Sequence, residues 1–531
     1  MDEQKRYIAI TIGPIYDTLQ LTSTPAGMWA ASYLFSELSY ELCRRIKTEL
    51  KVKILTPFYR EQEADEESLS RDDGVGLFPD HIIFEHASLE PQNLSAIIYD
   101  AKNVVAKRFL VDGKDANYQQ KFQQYLQEYL QVHAIAFSTD LNPIIASKYW
   151  LPGIELEFTF PAQESINYLL NQFDYQGKSD KQSHNDAIKK SHLVLGLRNW
   201  PLWKDGKKQE IRDLQDIAAD SARHSQPMKK YSYYAIIQAD GDRMGGVIEK
   251  STDPSRFSEE CWDYSRHAAE TVQKYHGVVV YAGGDDLLCI VPVENRDGLN
   301  IFNLIGDLRE AFGKEFGREV GAPTLSFGVS ICFYKFPLYE GFLAAHKLLA
   351  DKAKKLKEEK NTLSLSLQKH SGQSSILHFF NGGGNECLQI TTGLIKTLVE
   401  DAKNIPAADS KKQSERERLL NSTADKIRQF EELFAGALHN GGAAVKNCFK
   451  NTFDSSFHDV PGIGRYLDTV QKLLEAAKPE VCLSEAEEPS KEENFREEKR
   501  QLRLLDDLLW LVKFFVEPGQ EKDDNRTVEG S

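Results

Sequence analysis

The chain has no Cys-x-x-Cys pair; its seven cysteines stand at 43, 261, 289, 332, 387, 448 and 482. Thiols scattered in this way exclude a disulfide framework and a four-Cys zinc site, and a reducing cytoplasm is the expected home. No window approaches the uninterrupted apolar length of a membrane span. The N-terminus, MDEQKRYIAITIG, enters a strand at once and lacks the architecture of a signal peptide. Positive charge is also short: 65 Lys and Arg against 80 Asp and Glu give a formal net charge of −15. Phosphate neutralisation dominates nucleic-acid affinity, so a protein that grips long nucleic acid unaided is usually basic. This chain is expected to reach RNA only through a local basic patch or through basic partner subunits.

What is present is the composition of a soluble globular protein, 41% hydrophobic and 27% charged over 531 residues. That length exceeds one ordinary core, so three or four domains are expected. The most informative stretch is Val278–Val293, VVVYAGGDDLLCIVPV. Val278–Ala282 and Leu287–Val293 are apolar and strand-like, and the short Gly283-Gly284-Asp285-Asp286 link predicts a β-hairpin. Glycines let a phosphate come close to the backbone. Paired carboxylates at a strand end suit a divalent cation, which needs hard oxygen ligands. From these residues alone a solvated acidic turn is an equal alternative.

A second acidic stretch shifts that balance. Tyr233–Gly246, YYAIIQADGDRMGG, is an apolar strand running into Asp240-Gly241-Asp242. A crossover helix expected over Pro254–Tyr275 gives the order strand, helix, hairpin, which lets the two acidic ends lie side by side. Two cations held there would activate an attacking hydroxyl and stabilise leaving pyrophosphate, as nucleotidyl transfer requires.

Taken in order, the chain opens with a strand at Arg6–Gly13, a Pro-containing turn and a long helix at Thr24–Leu50. Strands are expected at Val52–Thr56, His81–His86 and His133–Ser138, with helices at Leu94–Phe109 and Tyr118–Val132 and a surface loop at Glu61–Asp73. Strand, helix, two strands, helix, strand is the ferredoxin-like order. It recurs from Tyr233, with helices at Gly298–Phe316 and Tyr339–Glu359 and strands at Pro323–Phe333 and Thr362–Gln368. Only the second unit carries paired carboxylates, since Phe78–Ala87 has no Gly-Gly-Asp-Asp. From about Asn385 the pattern is helical, with Thr391–Ala402, Glu415–Leu438, Ile463–Ala477 and Asn494–Val516 separated by Asn-, Gly- and Glu-rich breaks. The expected fold class is α+β: a first ferredoxin-like domain over 1–160, a middle connecting domain over 161–230, a second ferredoxin-like domain over 231–384, an α-helical bundle over 385–517 and a disordered tail over 518–531.

The pairing of ADGDRMGG (Ala239–Gly246) with YAGGDDLLCIVP (Tyr281–Pro292) resembles the large polymerase/cyclase-like subunit of type III CRISPR effector complexes, the III-B (Cmr) branch best. TIGPIYDTL and GMWAASYLFSEL, between Thr11 and Leu38, resemble that family's first palm domain. LSFGVSI (Leu325–Ile331) and AHKLLADKAKKLKEEKNTLSLSL (Ala345–Leu367) resemble its second. The resemblance implies two palm domains packed face to face, a middle domain and a helical domain that contacts small subunits. It implies ATP as substrate at a two-metal Mg2+ or Mn2+ site. Its partners would be the other subunits of the complex, CRISPR RNA and, through the complex, target RNA. The product would be a second messenger: a cyclic oligoadenylate, or AMP joined to S-adenosylmethionine as co-substrate.

Residue by residue, the resemblance makes Asp240, Asp285 and Asp286 the metal carboxylates and the Gly241 carbonyl a further ligand. Gly283 and Gly284 would let the triphosphate lie against the hairpin. Lys354 stands where related cyclases place a phosphate-binding Lys, although its Lys-rich surroundings (352, 354, 355, 357) equally suit a solvated face. Asp242, a secondary nucleotide-binding candidate, and Arg243 would contact phosphate or cap the following helix. The chain begins at the first palm without the HD nuclease domain of many relatives, so no DNase activity is expected. Its one His-Asp dipeptide, His458-Asp459, is taken as structural. No zinc is expected, because His192–Trp200, where relatives carry a cysteine cluster, has none. Two alternatives stand beside the enzyme: a catalytically silent palm scaffold in the same complex, and a stand-alone nucleotide cyclase. The latter fits poorly, since Asp286 is followed by Leu287 rather than by the Glu-Phe ending of diguanylate cyclases.

Overall fold

The computed structural model describes residues 7–20, 22–59, 78–86, 91–108, 116–137, 213–223, 229–250, 254–317, 322–358, 360–380, 384–403, 421–453, 463–478, 480–485 and 494–517. The loop expected at Glu61–Asp73, most of the expected middle domain with His192–Trp200, the His458-Asp459 dipeptide and the expected disordered tail lie outside them.

The first sheet is built by β1 (Tyr7–Gly13), β2 (Ile54–Thr56), β3 (His81–Glu85) and β4 (Gln131–Phe137) in the order β2-β3-β1-β4, every pair antiparallel. Helices α1 (Ile15–Gln20) and α2 (Pro25–Leu50) join β1 to β2, and α3 (Pro91–Arg108) and α4 (Ala116–Tyr129) join β3 to β4. This is the ferredoxin-like arrangement expected from the element order. The limits of α2 follow from local chemistry. The Thr24 side chain accepts from Gly27 N, Pro25 opens the first turn, and Lys51 closes the helix in the left-handed region at φ 56°. The turn expected after β1 holds one short helix, α1, because Pro14 O accepts from Thr18 N.

After a short helix, α5 (Leu214–Ala218), the second sheet repeats the first. β5 (Tyr233–Asp242), β6 (Val278–Gly283), β7 (Asp286–Pro292) and β8 (Thr324–Phe333) lie in the order β8-β5-β7-β6, with β5 in the place of β1. Helices α6 (Met244–Lys250) and α7 (Pro254–Lys274) precede the hairpin, and α8 (Ile301–Phe316) follows it. Asn300 and Asn303 cap α8 reciprocally. Three strands extend the sheet beyond β8: β9 (Leu363–Gln368), parallel to β8, then β10 (Ser374–Phe379) and β11 (Cys482–Ser484), both antiparallel.

Two expectations need correction here. The helix read over Tyr339–Glu359 is α9 (Leu338–Lys347) followed by a single π turn, Leu348–Ala353. The region after Asn385 is not purely helical, because β11 returns from it to the edge of the palm-like sheet, where β10 offers unpaired backbone groups. The helices there are α10 (Glu386–Lys403), residues 421–429, α11 (Glu431–His439), α12 (Gly442–Thr452), α13 (Ile463–Ala476) and α14 (Arg496–Val516). The α12 helix falls where a Gly-rich break was expected; Gly441 at φ 92° ends the preceding turn and lets it start.

Strand alternation gives the second sheet two apolar faces. Tyr234, Ile236, Val280 and Ile290 share a core with Ile10, Met28 and Leu38 of the first unit, so α2 lies against β6. Ile237, Val279, Val291 and Val329 face α7, α8 and the C-terminal helices. The acidic ends of β5 and of the hairpin are therefore carried on a sheet buried on both sides.

Candidate active site

The site forms where β5 runs out beside the β6–β7 turn. Gly283 pairs with Asp286 in the ladder, leaving Gly284 and Asp285 as the two turn residues. Gly284 has φ 68°, a conformation that costs a residue without a Cβ little. Ser265 of α7, buried, has Oγ 2.9 Å from Cys261 O and 3.1 Å from Gly284 O, so its one proton is shared between its own helix and the turn above it. The opposing strand approaches as closely as its glycine allows. A Cβ on Gly241 would stand 2.6 Å from Asp285 Oδ2 and 2.7 Å from Met244 Cγ. Gly241 thus lets the Asp285 carboxylate rest against β5.

As a result Asp240, Asp285 and Asp286 each bring a carboxylate oxygen within 4.8 Å of the others, Asp240 and Asp285 half-buried and Asp286 exposed. Among the described residues this is the one group of three or more His, Cys, Asp or Glu so gathered. Three carboxylates at that spacing repel one another, and a cation removes the repulsion. The donors are all hard oxygens, which fits Mg2+ or Mn2+ and not a soft metal.

Lys354 is neither on a solvated face nor directed to open solvent. Its ammonium lies 2.8 Å from Asp240 O, 2.7 Å from Gly241 O, 2.8 Å from Asp242 Oδ1 and 3.1 Å from Asp240 Oδ1. The Gly241 carbonyl, read as a metal ligand, is thus already an acceptor for Lys354. Asp242 departs from its reading as a nucleotide-binding residue. Its side chain is fully buried, and Oδ2 accepts from Thr324 Oγ1 (2.8 Å), Ser326 Oγ (2.8 Å) and Asn361 N (2.9 Å) while Oδ1 takes Lys354. With both oxygens engaged inside the protein, Asp242 anchors Lys354.

Among the described residues, Tyr264, Tyr281 and Cys261 lie near the acids and are held in their neutral forms. Tyr264 and Tyr281 have phenol pKa values pushed up by burial, and further by Asp285 and Asp286, so both stay neutral. The buried Cys261 thiol is raised for the same reasons. Arg309 of α8 lies with its guanidinium 4.9 Å from the Phe327 ring centre; burial lowers it to about 10 and Asp242 partly offsets this, so it remains a cation at neutral pH.

Reading the residues alone found the three acids and Lys354 but missed Ser265, Thr324, Ser326, Asn361 and Arg309. Ser265 is one of several buried hydroxyl residues of α7, beside Ser258 and Tyr264, and Lys360-Asn361 adopt positive φ of 57° and 49°. Such Lys-Asn pairs are a local turn signal, but nothing local shows that the turn points at Asp242.

Residues 233–364 match the family described as Cas10/Cmr2, second palm domain. The Cmr2 subunit of the CRISPR Cmr system of Pyrococcus furiosus is 30% identical over 232 residues, covering 36% of this chain and 26% of its own length. The chain thus spans about a quarter of that curated relative. Among solved structures, a type III-B Cmr-beta chain in the apo state aligns with a TM-score of 0.45 at 12% identity, covering 71% of this chain and 70% of that one. A chain of the Csm1–Csm4 cassette in complex with pppApA aligns with a TM-score of 0.45 at 14% identity, covering 90% and 69%.

Proposed function

We propose, from the match of residues 233–364 to the Cas10/Cmr2 second palm domain, that this protein is the large subunit of a type III RNA-guided effector complex and that this palm transfers adenylate from ATP. The observation that carries the proposal is the convergence of Asp240, Asp285 and Asp286, from two separate strand ends, inside the matched segment. On this reading the chain comprises a first palm-like unit, a middle region, a second palm and a C-terminal region that is mostly helical. Other subunits of the complex would bring CRISPR RNA and target RNA to a chain whose own net charge is −15. No helix among the described residues is long and apolar enough to cross a membrane.

Asp240, Asp285 and Asp286 would hold Mg2+ or Mn2+, which when bound offsets triphosphate charge and eases deprotonation of an attacking hydroxyl. The backbone at Gly283 and Gly284 would let the triphosphate lie along the turn, and Ser265 would keep that turn in place. In the transfer, a ribose oxygen forms a bond to the α-phosphorus, the bond to the β-phosphate oxygen breaks, and pyrophosphate leaves with that electron pair. The hydroxyl proton would pass to solvent. Lys354, fixed on the end of β5, would supply a positive charge beside the acids without itself being released to the product.

The test is mass spectrometry of the products of the co-expressed complex given target RNA, ATP and divalent metal, with and without S-adenosylmethionine. Adenylate-containing products that vanish in Asp285→Ala/Asp286→Ala are expected, and their masses identify a cyclic oligoadenylate or an AMP–S-adenosylmethionine adduct. An intact, RNA-bound complex that makes no product would leave a palm-fold scaffold as the function.

A further inference from the structure

Lys354 follows directly on the π turn at Leu348–Ala353, and Lys354 N donates to Leu349 O at 3.0 Å, five residues back. A π turn is rare and occurs mostly as a single turn within an α-helix, so contacts outside it that fix its register are of interest. One such contact lies beneath it: a Cβ on Gly328 would stand 2.2 Å from Ala345 O and 2.5 Å from Leu349 N, so the turn rests on β8. A second lies at its Lys354 end, in the four oxygens of the β5 terminus. The third comes from the far end of the chain. Lys352 Nζ lies 2.6 Å from Glu485 Oε1, immediately after β11.

Glu485 is itself tightly located. Its N–H donates to Ile376 O at 3.1 Å, continuing the β10–β11 ladder by one residue. Oε1 also accepts from His378 Nε2 at 3.1 Å, and the buried His378 takes Ser364 Oγ on Nδ1 at 2.9 Å. Both ring nitrogens are thereby satisfied in the neutral form with the proton on Nε2. One residue before Glu485, Ser484 Oγ donates to Asp507 of α14, and Ser375 Oγ of β10 donates to the same carboxylate at 3.1 Å. The C-terminal helix α14 thus fixes β11, β11 fixes Glu485, and Glu485 holds Lys352 two residues before the active-site Lys354.

We propose that Glu485 is a positioning residue for the palm site: through Lys352 it sets the π turn that seats Lys354 on Asp240, Gly241 and Asp242, so the C-terminal helical region controls the geometry of the acidic site. The proposal rests on the nucleotidyl-transfer reading for its effect on rate, and on geometry alone for its effect on the turn. Glu485 and Lys352 are part-exposed, with side chains 34% and 40% accessible, so a charge change can be accommodated without burying an unpaired ion. Neither touches the carboxylates.

The experiment uses the intact complex with target RNA, ATP and Mn2+, comparing Glu485→Lys, Lys352→Glu and the double exchange. Each single change is expected to lower the rate of pyrophosphate release at saturating ATP by about fivefold, and the double exchange to restore it to within about twofold, the size of coupling normal for neighbouring charges. Hydrogen exchange is measured in parallel: the amides of Leu349–Lys354 should exchange faster in the single variants and recover in the double. Glu485→Gln, which keeps shape and removes charge, serves if Glu485→Lys does not fold. Unchanged exchange at Leu349–Lys354 in a folded single variant overturns the proposal, as does a double exchange no better than the product of the singles. A wild-type complex that releases no pyrophosphate overturns the nucleotidyl-transfer reading instead, and the exchange data still decide whether Glu485 sets the turn.

Discussion

At the scale of single residues, the site depends on one missing Cβ and one engaged ammonium. Gly241→Ala would push its methyl into Asp285 Oδ2, so the mutant should bind Mn2+ at least about tenfold more weakly, the loss typical when a metal ligand is disturbed. Titration of the full chain with Mn2+, followed by electron paramagnetic resonance, checks this, and an unchanged affinity would show that Asp285 is not a ligand. Lys354→Met acts differently. It leaves the Asp242 side chain, 0% accessible, without its cation, and removal of one partner from a buried pair costs about 3–5 kcal/mol. Urea unfolding should register that loss, and adding Asp242→Asn to Lys354→Met should recover part of it. No recovery would mean that Lys354 stabilises through its carbonyl contacts alone.

At the scale of elements, the α3–α4 pair carries a lysine whose charge the fold disfavours. Lys102 is buried and its Nζ donates to Gln127 O at 3.0 Å; burial lowers its pKa from 10.5 to about 7. The unfolded chain keeps that proton up to about pH 10.5 and the folded chain only to about pH 7. Between those values the unfolded state binds more protons, so this group makes stability rise with pH and contributes a constant penalty below pH 7. Lys102→Met should flatten the stability profile between pH 7 and pH 10, as read by denaturant midpoints at each pH. An unchanged slope would place the lysine in water. In the second sheet, the same logic of backbone demand explains β11. The β10 edge needs a partner, and the segment between α13 and α14 supplies one three residues long.

At the scale of the whole molecule, the two sheets are not independent. Val280 of β6 lies in the same cluster as Ile10 of β1 and Leu38 of α2. Val280→Asp would bury an unpaired carboxylate in that shared core, a cost of about 3 kcal/mol or more. Hydrogen exchange should then lose protection in Tyr7–Gly13 as well as in β6. Loss confined to β6 and β7 would show that the two units unfold separately. The same sharing places the acid-bearing turn between two buried faces, with α7 beneath it through Ser265.

The alternation of strands and helices and the acidic strand ends were legible in the residues alone. Those signals are local: the apolar runs of β5, β6 and β7, the Thr24-Pro25 start of α2, and Gly283-Gly284 before two aspartates all act within a few residues. The sequence also carried the likeness of residues 233–364 to a palm domain, because the motifs occur in order. The positions of Asp242 and Lys354 emerge only in the folded chain. Both are charged residues near an acidic motif, and the sequence allowed either to face a nucleotide. The packing of the π turn on Gly328 instead aims Lys354 at the end of β5, 114 residues earlier in the chain for Asp240, and closes Asp242 beneath it. β11 was likewise hidden, because a three-residue strand has no period of its own and forms only where a neighbouring edge is left unpaired.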